Sequence, residues 1–167
     1  RIAIEEAKNF DRYGDHTASS RKYEYAAEVF QKIMKTESEQ TRKELEPLVY
    51  LCRAWQKMMT AEARVSPIMY EEAAELFEQA KEHALDQQTS LLALAHSSLC
   101  RALEAGTEFE ITKDKVMYTT AREHMETAAN YYLRAGFETA SEFAKATQYL
   151  FDAYIYIDSA KKETDPQ

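Results

Sequence analysis

One spacing of side chains occurs three times in the chain and limits the folds that it can adopt. The three copies read YEYAAEVFQKI, YEEAAELFEQA and METAANYYLRA, at residues 23–33, 70–80 and 125–135. In each copy a bulky residue, an alanine, an aromatic residue and a second apolar residue follow one another at steps of 3, 4 and 3. These steps put the four side chains on one stripe of an α-helix, and the small alanine lets another helix approach closely.

A second motif follows each copy and completes a repeating unit. It reads YLCRA, SLCRA and YLFDA, at residues 50–54, 98–102 and 149–153. Its leucine lies 25, 26 and 22 residues after the alanine of the preceding copy. The unit is therefore predicted to be a pair of helices that is present three times.

Composition favours long helices. The 167 residues include three Gly and three Pro, so turn-forming residues are scarce. We predict a single all-α domain over residues 1–167, with a leading helix (1–14) and three helical hairpins (20–63, 66–106 and 114–162). The seven helices are predicted at 2–13, 20–36, 42–63, 67–84, 88–105, 114–135 and 139–162.

The predicted helix ends depend on local signals. Capping patterns predict helix starts at Thr41, Ser66 and Thr139. Gly106 and Gly136 are predicted to end helices. Pro47 lies inside the third predicted helix and indicates that this helix kinks there or begins later.

The segment at 70–80 resembles the second helix of a tetratricopeptide repeat, with Ala73, Phe77 and Ala80 at its small, aromatic and small positions. The repeat spacing here is 47 to 55 residues, longer than the roughly 34 residues of that family, and the Trp…Leu-Gly…Tyr pattern of its first helix is absent. Helix pairs of this length look more like those of the soluble NSF attachment proteins, and AANYYLRAGFETASEFAKA at 128–146 is similar to sequences of that family. The resemblance covers about residues 20–162. It implies a right-handed antiparallel helical-hairpin solenoid that holds partner proteins on a curved surface without catalysis.

The distribution of charge narrows the class of partner. Residues 1–62 carry 11 Lys/Arg and 11 Asp/Glu, whereas residues 63–167 carry 10 and 18, which together give the net charge of −8. Nucleic acid and anionic lipid bind best to clustered positive charge, so neither is expected as the main partner. The acidic part is interpreted as a solvated surface, with a basic protein partner as the alternative. The longest apolar runs, such as LLALA at 91–95, are too short to cross a membrane.

No catalytic, cofactor or metal site is predicted. The three glycines are isolated, and none of the four histidines has Glu three residues before it, so phosphate-loop and di-iron patterns are both absent. Cys52 and Cys100 occupy the same position of the LCRA motif and are interpreted as small buried apolar residues, too far apart for a disulfide. A catalytic Cys–His arrangement stays open, although no local signature supports it. Unbridged thiols favour a reducing setting, and we expect a cytoplasmic protein.

Tyrosines and two arginines are the candidate binding residues. Tyr23, Tyr70, Tyr132 and Tyr154 fit the predicted core stripes. Four others fall one position off the stripes and should lie at edges or on the surface: Tyr25, Tyr131, Tyr149 and Tyr156. They either cover seams between repeats or form a binding surface.

Arg53 and Arg101 recur at the same place in the second motif. They are either ordinary surface residues or clamps for a carboxylate or phosphate. Asp152 takes their place in the third copy, which breaks any continuous basic groove. A phosphopeptide-binding surface is therefore disfavoured.

These patterns favour a non-catalytic scaffold or adaptor module that binds a protein or peptide. The alternative is a small-molecule sensor or enzyme domain with a pocket between helices, lined by Tyr and Met. A third interpretation is self-association. The run YLFDAYIYI at 149–157 covers every direction around a helix, so we predict that part of it stays exposed and marks a contact site.

Overall fold

The computed structural model describes residues 2–12 and 14–163, and these residues form helices and short connections without a strand. In these described residues seven helices follow one another: α1 (Ile2–Arg12), α2 (His16–Thr36), α3 (Glu39–Arg64), α4 (Pro67–Glu82), α5 (Gln87–Thr112), α6 (Lys115–Arg134) and α7 (Glu138–Glu163). The prediction of an all-α chain with about seven helices is confirmed for this part of the sequence. Within it, no helix combines the length and the apolar character that crossing a bilayer would need.

Short polar side chains set most helix starts. Ser66 caps α4 ahead of Pro67, as predicted. The predicted cap at Thr41 is wrong, because Ser38 caps α3 and its Oγ accepts the backbone N–H of Thr41 at 3.3 Å. An N-cap side chain bonds to the N–H two or three residues further on, so the true cap precedes the predicted one by a turn.

The predicted cap at Thr139 is also wrong. Helix α7 begins at Glu138, and the carbonyl of Phe137 already accepts the N–H of Ser141 at 3.0 Å. Phe137 therefore occupies the position that precedes the helix, and Thr139 lies within the first turn.

Pro47 and Gly106 do not break their helices. Pro47 is buried inside α3, which begins at Glu39 rather than later. The predicted stop at Gly106 is wrong, because α5 continues to Thr112. Gly136, in contrast, follows α6 with a φ of +86° and ends it as predicted, in a conformation that favours glycine.

Each helix packs mainly against the helices that precede and follow it in the chain. The buried residues between them form three clusters, which span α1 to α5, α1 to α3, and α5 to α7. The predicted stripes are buried along α4 (Tyr70, Ala73, Phe77 and Ala80) and along α6 with its cap (Met125, Ala128, Tyr132 and Ala135). The period of 3.6 residues thus places the core correctly in both helices.

The stripe of α2 is buried only in part. Tyr23 and Ala26 are buried, Phe30 is half-buried, and Ile33 is exposed. Helix α1 has 11 residues against the 21 of α2, and its apolar residues reach Ala26 and Phe30. Ile33 lies one turn past Phe30, which explains its exposure.

Candidate functional site

An aromatic groove is lined by six of the seven helices and by the connection between α6 and α7. Its volume is about 370 Å³, within the range of roughly 300–1,000 Å³ that small-ligand sites occupy. The lining combines aromatic rings, methionines and one lysine: Lys8, Tyr23, Trp55, Met58, Met59, Leu92, His96, Tyr132, Phe137 and Ala140. We call this site the aromatic groove.

The imidazole of His96 lies among three aromatic rings, two of which, Trp55 and Tyr132, also line the groove. Its centroid is 4.9 Å from the ring of Phe77 at an interplanar angle of 32°. It meets Trp55 edge to face at 5.7 Å and Tyr132 edge to face at 5.3 Å. Ring pairs at these separations add to the stability of the core and hold each ring in a defined orientation.

The second motif of the sequence positions the two central rings. Trp55 lies three residues after Cys52 on α3, and His96 lies four residues before Cys100 on α5. Residues three or four apart share a helix face. Both cysteines are fully buried. Each ring lies one turn from a buried cysteine on the same helix face and therefore points towards the interior. Tyr23 on α2 completes the array with its ring 5.4 Å from that of Trp55.

The His96 ring is neutral near pH 7. Burial lowers its pKa to about 4, and a hydrogen bond to the carbonyl of Leu92 opposes that shift. The Nδ1 atom lies 3.0 Å from this carbonyl oxygen. A carbonyl can only accept, so Nδ1 carries the proton and Nε2 is an acceptor. Burial also raises the pKa of the Tyr132 hydroxyl, which therefore stays protonated.

A larger pocket of about 820 Å³ adjoins the aromatic groove. The two share Tyr132, Phe137 and Ala140 as lining residues. From there the larger pocket follows α7 to Phe143 and Ala144. The two cavities therefore meet at the start of α7.

Arg101 is surrounded by carboxylates of its own chain. Its guanidinium lies 3.3 Å from Glu104, 3.8 Å from Glu78 and 3.9 Å from Glu71. Ser97 also donates to Glu78 at 2.9 Å. These carboxylates already pair with the charge and the N–H donors of the guanidinium, which is therefore less able to bind an external anion.

The two predicted arginines differ in environment. Arg53 on α3 is exposed, whereas Arg101 on α5 is half-buried. Asp152, at the corresponding place in α7, accepts from Arg122 of α6 at 2.6 Å. A clamp role for Arg53 or Arg101 stays a prediction.

Three of the four predicted surface tyrosines are strongly exposed, namely Tyr25, Tyr149 and Tyr156, and Tyr131 is half-buried beside Arg134. The assignment of Tyr154 to the core is wrong, because 59% of this residue is exposed. Helix α7 packs mainly on α6, so only one side of α7 is covered, and Tyr154 lies away from it.

Helix α7 presents an apolar surface to solvent. Its six members are each at least half exposed: Phe143, Tyr149, Leu150, Tyr154, Tyr156 and Ile157. We call this set the α7 outer face. The prediction that the run at 149–157 leaves aromatic surface exposed is confirmed for the described chain.

The cysteines match their interpretation as buried apolar residues. Both are free thiols with no exposed surface. Burial raises the pKa of Cys52 to about 12 and that of Cys100 further still. Thiols with such pKa values are poor nucleophiles.

The alternative prediction of a pocket between helices lined by Tyr and Met resembles this groove, which Tyr23, Tyr132, Met58 and Met59 line. The sequence analysis assigned no role in it to His96 or to Trp55, the single tryptophan of the chain. One signal was present, since both residues lie one turn from a buried position of the repeated LCRA motif. Among residues 2–12 and 14–163, no group of three or more His, Cys, Asp or Glu side chains is placed to hold a metal ion.

Comparisons with protein-family models, with curated proteins and with solved structures give no match for this chain.

Proposed function

We propose that this chain is a non-catalytic protein–protein interaction module, built as a short right-handed solenoid of helical hairpins like that of tetratricopeptide repeats. The observation that carries the proposal is the α7 outer face. The consecutive packing of the seven helices supports the solenoid arrangement, because stacked hairpins touch mainly their neighbours.

Spacing along α7 supports a partner that lies lengthwise on the helix. Phe143, Leu150, Tyr154 and Ile157 follow at steps of 7, 4 and 3, which put them on one side. Tyr149 and Tyr156, seven residues apart, form a second row. Contiguous apolar surface of this kind is typical of protein contacts, and tyrosine is enriched where binding energy concentrates.

The test compares α7 variants with a matched surface variant. The double substitution Tyr149→Ser and Tyr156→Ser removes two rings that are 70% and 74% exposed, so the helical content and the melting temperature should stay close to those of the parent. Ile68→Ser on α4 is the control, since Ile68 is 68% exposed and lies outside the α7 outer face.

Association is then measured in two ways. Sedimentation velocity reports self-association, and affinity capture with mass identification reports other proteins. A complex that the parent and the Ile68 variant form, and that the double variant loses, supports the proposal. A folded double variant with unchanged association contradicts it and leaves Tyr25 and Tyr131 as the next candidates.

A further inference from the structure

The aromatic groove offers a hydrogen-bond acceptor within an apolar lining. In the described part of the chain, the His96 ring forms a hydrogen bond from Nδ1 to the carbonyl oxygen of Leu92. That bond leaves Nε2 as the other ring nitrogen, and the His96 side chain is one of those that line the groove. His96 therefore presents a lone pair to the groove that it lines.

The charge of the groove selects against ionic ligands. Among the described side chains that line it, Lys8 is the one that carries a charge, and its ammonium lies 3.4 Å from the carboxylate of Glu5. Trp55, Tyr132 and two methionines supply flat and adaptable apolar surface. An ion that packed against these apolar side chains would lose part of its hydration, so the described lining favours a neutral ligand.

Size favours a small molecule over a folded partner. A volume of about 370 Å³ accommodates one or two rings, and residues of six helices line it. The donor that Nε2 requires has to be a hydroxyl or an N–H on the ligand.

We propose that the aromatic groove binds a small neutral aromatic molecule that carries a hydroxyl or N–H group, which donates to Nε2 of His96 while the ring packs against Trp55 and Tyr132. This site is separate from the α7 outer face. It goes beyond the interaction module proposed above and does not depend on it.

The chain provides its own probe for this proposal. Trp55 is its single tryptophan and lines the groove, so tryptophan fluorescence reports the site directly. The intact chain is titrated with p-cresol and with toluene, which share a ring and a methyl group and differ in the hydroxyl. One net hydrogen bond predicts that p-cresol binds about threefold to tenfold more tightly than toluene.

The variant His96→Phe keeps a ring against Phe77 and Trp55 but removes the acceptor. It should lose the preference for p-cresol and bind toluene at least as tightly, because the hydroxyl would be desolvated without an acceptor. The control Tyr156→Ser, which lies outside the groove, should keep the preference for p-cresol. Circular dichroism establishes that each variant is folded.

A second measurement does not require the variant. In the parent chain, p-cresol should shift the imidazole nitrogen resonance assigned to Nε2 of His96, and toluene should not. The proposal is overturned if neither probe changes the fluorescence, if both bind equally well to the parent, or if the nitrogen resonance stays fixed. N-acetyl-tyrosinamide that bound more tightly than p-cresol would assign the groove to a peptide side chain and overturn the small-molecule assignment.

Discussion

The phenyl ring of Phe151 on α7 packs against Gly106 on α5. A Cβ atom on Gly106 would lie 3.5 Å from Cζ of Phe151, which is an ordinary carbon–carbon contact distance. Gly106 lies within α5, where glycine costs more backbone entropy than alanine on folding. Space and helical propensity therefore both favour an alanine here.

The substitution Gly106→Ala should raise the free energy of unfolding by about 0.5–1 kcal/mol. Urea denaturation followed by circular dichroism measures the change. The matched control is Gly136→Ala, where a φ of +86° strains any side chain and stability should fall by about 1 kcal/mol. A loss of stability in Gly106→Ala would mean that α5 and α7 approach more closely than this structure has them.

Helix type and core position were predictable because both depend on local periodicity. Ala73, Phe77, Ala128 and Tyr132 were placed in the core by their spacing, and all four are buried. The continuation of α5 through Gly106 was not predictable in the same way. The intrinsic cost of glycine in a helix is about 1 kcal/mol, small enough for the tertiary contact with Phe151 to outweigh it.

Replacement of a stripe alanine should destabilise the fold. Ala73 on α4 and Ala128 on α6 have no exposed surface, so leucine at either position has to displace a neighbouring helix. The expected cost is about 1–3 kcal/mol. Thermal melting measures it, and Ala63→Leu at an exposed position of α3 is the control with little expected effect. A stripe variant that melts with the parent would contradict the register of that helix.

The two thiols should react slowly in the folded chain. Burial raises the pKa of Cys52 to about 12 and that of Cys100 further, so near pH 8 almost no thiolate forms at either position. A chromogenic disulfide reagent should label both only at the rate of unfolding, and rapidly in denaturant. Fast labelling of the native chain would place a cysteine at the surface and revive the catalytic interpretation.

The site was less predictable than the fold, for a physical reason. Trp55 and His96 are 41 residues apart and meet only because α3 and α5 each contribute side chains to the same groove. A pattern within one helix carries no information on which face of another helix it meets. The predicted burial of Tyr154 was wrong for a related reason, since it required a neighbouring helix on the outer side of α7.

The neutral state of His96 makes stability depend on pH. Its pKa is lowered from 6.5 to about 4 in the folded chain, chiefly by burial. Above pH 6.5 the ring is neutral in both states. As the pH falls from there, the unfolded chain takes up a proton that the folded chain does not, so stability is lost until about pH 4, where the folded ring titrates as well. The shift sets an upper limit of about 3 kcal/mol on this loss.

The measurement is urea denaturation near pH 7 and near pH 4.5, for the parent and for His96→Phe. Carboxylates contribute alike to both chains, so the difference between their pH dependences isolates His96. The variant should lose less stability than the parent on acidification. Burial also lowers the pKa of His124, so this residue contributes to the loss of stability in the same direction. The variant His124→Phe measures that contribution separately. Equal losses in the parent and in His96→Phe would show that the ring is solvated and freely protonated, contrary to its position among Trp55, Phe77 and Tyr132.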